Sequence, residues 1–141
     1  MPRSNVSRRG FTMVEIMVTI GLFGLLMAIS VPSLWGYMRA NRLDTQVDMI
    51  GSDLAYARSI AVARGRIIRV TATSTGYTVT DAASGDVVKQ RQFDGEVRLS
   101  ADAVLDFFPW GAADSDVLVL TNGSDTRDVT VLPTGIVEVG S

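Results

Sequence analysis

The feature that most constrains this chain is an uncharged apolar segment close to its N-terminus. Residues 16–38 contain no Asp, Glu, Lys or Arg, a run of 23 residues. A helix of about 20 apolar residues spans the hydrocarbon core of a bilayer. The segment therefore predicts a helix that lies in a membrane or in an equally apolar environment. It also supplies most of the positive mean hydropathy of +0.25.

Charge is divided unevenly around this segment. Residues 1–10 carry three arginines and no acid, whereas residues 11–141 carry 10 basic and 15 acidic side chains. The net charge of -2 is thus the sum of +3 and -5. A basic flank ahead of the first apolar segment favours a cytoplasmic N-terminus and export of the rest.

The N-terminus has several interpretations. A conventional signal peptide would be cut at a small-residue site such as residues 28–30, and residues 7–11 also fit a twin-arginine signal. A plain signal anchor would keep the whole segment. Neither interpretation explains Glu15, which lies at the start of the apolar segment. A carboxylate in such a place is costly and indicates a function and a partner.

A further interpretation rests on a family resemblance. Its residues are Arg8-Arg9-Gly10-Phe11-Thr12-Met13-Val14-Glu15, followed by the apolar run. This pattern resembles the class III signal of type IV prepilins and pseudopilins. The resemblance implies that a prepilin peptidase cuts between Gly10 and Phe11, and that Phe11 is then N-methylated. It also implies that Glu15, the fifth residue of the mature chain, pairs with the N-terminus of a neighbouring subunit and sets the register of assembly.

After the apolar segment, a helical stripe of apolar residues gives way to strands. Spacings of 4, 3, 4, 3 and 4 predict an amphipathic helix face formed by Leu43, Val47, Ile50, Leu54, Ala57 and Ala61. We expect one helix from about residue 12 to Arg64, ended by Gly65. Alternation then predicts seven or eight short antiparallel strands, at residues 67–73, 77–80, 87–93, 96–99, 104–108, 117–121, 129–132 and 136–139.

The predicted fold class is α+β and pilin-like. A long helix, first hydrophobic and then amphipathic, packs on a small antiparallel β-sheet or sandwich domain. We expect a leader peptide at residues 1–10, a transmembrane or filament-core half of the helix at 11–38, an amphipathic half at 39–65 and a β-rich globular domain at 66–141.

The C-terminal half resembles a particular subfamily, the GspH/FimT-type minor pseudopilins. The resemblance is carried by Leu54-Ala55-Tyr56-Ala57-Arg58, by Phe108-Pro109-Trp110-Gly111 and by Thr134-Gly135-Ile136-Val137. We interpret Phe108 and Trp110 as packing residues rather than as a binding surface.

The resemblance implies a minor pilin or pseudopilin, which is a structural subunit and not an enzyme. It would initiate or cap a type IV pilus or a type II secretion pseudopilus. Its implied partners are prepilin peptidase, other pilins through the N-terminal helix, the inner-membrane assembly platform and, before assembly, membrane lipid. It would cross the bacterial inner membrane once, with its C-terminal domain in the periplasm, and then enter the pilus or pseudopilus.

Composition excludes several kinds of chemistry. The chain has no His and no Cys, which rules out Ser-His-Asp and Cys-His catalysis, His- or Cys-ligated zinc, and disulfides. No catalytic constellation is present, and no cofactor is expected. Calcium is an alternative for Asp114-Ser115-Asp116 and Asn122-Gly123-Ser124-Asp125, whose oxygens suit that ion, although the D-x-D-x-D-G spacing is absent.

DNA binding for natural transformation is the alternative function. Some FimT-type minor pilins are thought to bind DNA through a basic G-R-x-R motif, where this chain has Thr134-Gly135-Ile136-Val137. Phosphate neutralisation needs clustered Lys and Arg, but residues 101–128 hold six acids and one arginine. The basic cluster of the body is Arg58, Arg64, Arg66 and Arg69. Subunit packing explains it equally well, so we do not expect DNA as a partner.

Overall fold

A computed structural model describes residues 10–140, apart from the side chains of residues 30–33. The predicted leader therefore lies outside the described residues, except for Gly10. In this part of the chain one helix, α1 (Met13–Arg64), precedes the strands. The strands are β1 (Ile68–Thr73), β2 (Gly76–Asp81), β3 (Val87–Gln92), β4 (Arg98–Leu99), β5 (Ala103–Phe107), β6 (Asp116–Thr121), β7 (Thr126–Val131) and β8 (Val137–Val139). This order confirms the predicted α+β class.

The chain divides into two compact units, Met1–Tyr37 and Met38–Ser141. In the first unit, the described side chains of residues 11–29 are all exposed. They are apolar on every side of the helix, as in a membrane span or a helix enclosed by other protein. Among the described residues, α1 is long and apolar enough to cross a membrane, and it is the one helix that meets this test.

The second unit contains two antiparallel sheets of four strands each. Their strand orders are β3-β2-β1-β5 and β4-β6-β7-β8, and an isolated bridge between Phe107 and Ala113 lies where β5 leads towards β6. The β1–β2 hairpin pairs Thr73 with Gly76, so Gly76 belongs to β2 rather than to the gap between the strands predicted at residues 67–73 and 77–80. A Cβ at Gly76 would collide with the carbonyl oxygen of Arg91 on β3, which explains why this position is a glycine.

The C-terminal half of α1 packs on the sheets and completes the core of the second unit. All six residues of the predicted helix stripe are at most 1% exposed, which confirms the stripe. Strand β1 alternates buried and exposed residues, and its buried side chains Ile68, Val70 and Ala72 join the same core. Burying a Leu or Ile side chain contributes about 1.5–3 kcal/mol, so the stripe is a main source of stability for this unit.

Three expectations differ from the structure. Strand β4 has two residues rather than four, and β7 begins at Thr126 rather than at residue 129. The polar residues 126–128 carry no strand signal, but their backbone pairs with β6 along its length. Trp110, which we interpreted as a packing residue, is 74% exposed and lies outside the core. Its ring stacks on Phe108 of the same turn, with centroids 4.9 Å apart.

Candidate processing and assembly site

The first residues of α1 form a capping box, in which an N-cap residue and the third helical residue bond each other's backbone. The backbone N–H of Glu15 donates to Oγ1 of Thr12 at 3.2 Å, and the N–H of Thr12 donates to Oε2 of Glu15 at 3.4 Å. Thr-x-x-Glu is a known sequence signal for this motif, so the cap could have been predicted from the sequence. Glu15 therefore has a partner in its own chain, in addition to any partner in a neighbouring subunit.

The predicted cleavage position lies directly ahead of this cap. Gly10 and Phe11 are exposed and precede the helix, and a Cβ at Gly10 would have nothing within 4 Å. Exposed, non-helical backbone near a terminus is where proteases act most readily. Gly10, Phe11 and Glu15 thus lie within six consecutive residues at the start of α1. Cutting between Gly10 and Phe11 would leave the Thr12–Glu15 bonds intact.

Arg58 connects two turns of the second unit to α1. Its Nε donates to the carbonyl oxygen of Gly111 at 2.9 Å, and its Nη2 donates to that of Thr134 at 3.0 Å. Gly111 and Gly135 have φ angles of 87° and 73°, in the left-handed region that favours glycine. The three segments that carried the subfamily resemblance therefore meet at one guanidinium. The sequence placed Arg58 in the subfamily resemblance and in a basic cluster, but it did not predict these two hydrogen bonds.

Asp53 is a second polar link between α1 and the sheet, and it is only 5% exposed. Its carboxylate accepts hydrogen bonds from Nζ of Lys89 at 2.5 Å, Nε of Arg91 at 2.9 Å and Oη of Tyr77 at 2.7 Å. Burial raises the pKa of Asp53, but the bonds from Lys89 and Tyr77 outweigh it and hold the pKa below its ordinary value. Burial and the Asp53 carboxylate raise the pKa of Tyr77. These hydrogen bonds hold β2 and β3 against α1.

The basic cluster considered for DNA is largely engaged within the chain. Arg66 pairs with Asp81 at 3.0 Å, and Arg69 forms two bonds to Asp106 at 2.8 and 2.7 Å. Backbone bonds, led by that from Ala83, and the Arg66 guanidinium lower the pKa of Asp81. Arg58 is also bonded to two carbonyls, so three of the four arginines of the cluster already have partners within the chain. The geometry gives DNA binding no support.

The loop oxygens considered for calcium are likewise used within the chain. The Asp114 carboxylate accepts a bond from the backbone N–H of Asp106, and Asn122 Oδ1 accepts from the N–H groups of Ser124 and Asp125. Among the described residues, no group of three or more His, Cys, Asp or Glu side chains is placed to hold a metal ion. The hydrogen bonds within these turns account for the Asp and Asn side chains there without a bound ion.

Comparison with known proteins first defines a class. Residues 6–31 match the prokaryotic N-terminal methylation motif, which spans the predicted cleavage position and the capping box. Residues 46–135 match the type II transport protein GspH family. The chain belongs to this family, as the resemblance predicted. It is a membrane-anchored, pilin-like structural subunit of a type IV pilus or a type II secretion pseudopilus.

The fold agrees with solved structures. Two crystal structures of the type IV minor pilin FimU from Pseudomonas aeruginosa (strain PAO1) are similar to this chain. One has a TM-score of 0.63 and 21% identity, and covers 74% of this chain and 92% of that chain. The other has a TM-score of 0.57 and 22% identity, and covers 70% and 93%. A comparison with curated proteins gave no match.

Proposed function

We propose that the chain is made as a prepilin and matured at the Gly10–Phe11 bond. Prepilin peptidase removes residues 1–10 and N-methylates Phe11. The proposal is supported by the methylation-motif match over residues 6–31 and by the exposed, non-helical backbone at Gly10 and Phe11. Cleavage replaces three leader arginines with one ammonium group, four residues ahead of Glu15.

The mature chain is held in the inner membrane by residues 11–38, with residues 39–141 in the periplasm. The observation that carries this proposal is the helix of residues 13–29, which exposes apolar side chains on every side. Such a surface needs lipid or other protein around it. Lipid covers it before assembly, and the helices of neighbouring pilins cover it afterwards. The subunit initiates or caps the filament, whose assembly platform lies in the inner membrane.

The N-terminus of the mature protein tests the maturation step. We expect N-terminal sequencing and intact mass of the membrane-extracted full chain to show N-methylated Phe11 when prepilin peptidase is present. The matched control is Gly10→Glu, which should retain the leader because the peptidase cuts after the glycine. A mature chain that begins at Val31, or one that keeps Met1 in the presence of the peptidase, would contradict the proposal.

Glu15 tests the assembly step separately. We expect Glu15→Val to be processed normally but to enter filaments at least about tenfold less often, since an ammonium group buried without its carboxylate is strongly unfavourable. The measurement is the fraction of processed chain that sediments with sheared filaments. Thr12→Ala is the control, since it removes the Thr12 hydroxyl bond but keeps the carboxylate. Normal sedimentation of Glu15→Val would show that Glu15 does not set the register.

A further inference from the structure

Two residues next to the predicted cleavage position could each start a helix. As N-cap residues Thr and Gly rank alike, well above aliphatic side chains, and the chain has Gly10 and Thr12 on either side of Phe11. The structure uses Thr12, because residues 10–12 are not helical and α1 begins at Met13. This choice decides whether the Gly10–Phe11 bond lies ahead of the helix or within its first turn.

Three hydrogen bonds hold the start of α1 at Thr12. Its carbonyl oxygen accepts the first helical bond from the N–H of Ile16 at 3.2 Å. Its hydroxyl accepts from the N–H of Glu15 at 3.2 Å, and its own N–H donates to the Glu15 carboxylate at 3.4 Å. A start at Gly10 would lack the two side-chain bonds, because glycine has no side chain and the third helical residue would be Met13.

The two possible helix starts differ in what they do to the carbonyl oxygen of Gly10. Among the described residues, no group donates a hydrogen bond to this oxygen, and Gly10 is exposed. With Gly10 as the N-cap, its carbonyl would accept the first helical bond, from the N–H of Val14. Hydrolysis places the hydroxyl of water on the carbonyl carbon of Gly10 and a proton on the nitrogen of Phe11. A carbonyl oxygen bonded within a helix is not open to the donors with which an enzyme stabilises that step.

We propose that Thr12 is a positioning residue for maturation, whose hydroxyl fixes the start of α1 so that the Gly10 carbonyl stays free for prepilin peptidase. The inference rests on the proposed function and adds a residue to the cleavage position. An N–H group without a partner is costly in an apolar environment. A chain that lacks the hydroxyl therefore satisfies the N–H of Glu15 by extending the helix back toward Gly10. Glu15→Val keeps the hydroxyl bond, whose donor is the backbone, in agreement with the normal processing expected of that variant.

The rate of leader removal tests this role. The full chain in membranes is mixed with prepilin peptidase, and the uncut fraction is followed over time by mass. Thr12→Val replaces the hydroxyl with a methyl group, and we expect it to slow cleavage about fivefold, the size typical of a lost N-cap. Thr19→Val is the matched control, since the Thr19 hydroxyl donates to the carbonyl oxygen of Glu15 at 2.6 Å and takes no part in the cap. Its rate should equal that of the wild type.

Two further replacements separate helix capping from direct recognition of the hydroxyl by the peptidase. Thr12→Ser keeps the hydroxyl, whereas Thr12→Asn offers an amide oxygen that caps helices at least as well. Both variants should be cut at close to the wild-type rate. Rescue by Ser alone would show that the peptidase contacts the hydroxyl itself and would overturn the capping role. An unchanged rate in Thr12→Val, or an equal slowing in Thr19→Val, would also overturn it.

The helix start can also be measured directly in the uncut chain. Without peptidase, the Cα and carbonyl chemical shifts of Phe11 in the detergent-solubilised full chain should be non-helical in the wild type. In Thr12→Val they should move toward helical values. Slower cleavage without this change would show that Thr12 does not act through the helix start. A wild-type chain that is not cut between Gly10 and Phe11 would instead overturn the proposed function.

Discussion

The two halves of α1 contain similar apolar residues but place them in opposite surroundings. Residues 13–29 expose apolar side chains all around the helix, whereas the stripe from Leu43 to Ala61 is at most 1% exposed. Glycine shows the same contrast. A Cβ at Gly21 or Gly24 would have nothing within 4 Å, but one at Gly51 would lie 2.9 Å from Val139. The arrangement of apolar residues, rather than their number, decides whether a helix packs on its own domain.

The largest effect should come from truncating a leucine in the second half of α1, and the same truncation in the first half should have little effect. We expect Leu54→Ala to lower the free energy of unfolding of the periplasmic domain by about 2–5 kcal/mol, because it leaves a cavity in the core. Leu25→Ala should change it by less than about 0.5 kcal/mol, since that side chain is exposed. Denaturant titration of the detergent-solubilised full chain measures both. Equal losses in unfolding free energy for the two variants would show that the two halves of α1 do not differ in this way.

A smaller loss in the free energy of unfolding is expected when Arg58 is replaced. This variant tests whether polar bonds also hold the second half of α1 against its domain. Arg58→Met keeps most of the side-chain length but leaves the carbonyls of Gly111 and Thr134 without their donor. We expect a loss of about 2 kcal/mol, as for hydrogen bonds to a charged group. Arg64→Met is the control, because Arg64 is exposed on the same helix. A loss as small as that of Arg64→Met would show that the two turns do not need Arg58.

Replacing Asp53 should give the smallest loss in the free energy of unfolding, and the size of this loss should depend on pH. Its pKa in the folded chain is lower than its ordinary value of 3.8. A lowered folded-state pKa stabilises the fold above pH 4 or so, and that stability is lost as the pH falls through the folded-state pKa. Asp53→Asn should therefore cost about 1–2 kcal/mol at neutral pH and flatten the acid limb of the stability curve.

The acid limb is measured by unfolding the full chain between pH 7 and pH 3. Asp81, whose pKa is also lowered, contributes to the limb in the same direction. The comparison of interest is therefore the difference between wild type and Asp53→Asn at each pH. A difference that stays constant down to pH 3 would show that the pKa of Asp53 is the same in the folded and the unfolded chain, so that folding does not lower it.

Much of the fold follows from local patterns. The extent of α1, the helix stripe and the positions of most strands were predicted to within a few residues, because periodicity depends only on neighbours in the chain. The motif at residues 8–15 likewise indicated the class of protein. Strand β7 was predicted too short because pairing with β6 continues through polar residues, and a partner strand is not visible in local sequence.

The sequence alone determined that residues 16–38 need an apolar environment, that the C-terminal half of α1 has one buried face, and that strands follow it. Each of these depends on contacts that repeat along the chain. Tertiary structure alone decided that Arg58 joins two turns, that Asp53 is buried among cations, and that Trp110 lies on the surface. The first two outcomes depend on groups about 25 to 80 positions apart in sequence, which only the folded chain brings within bonding distance.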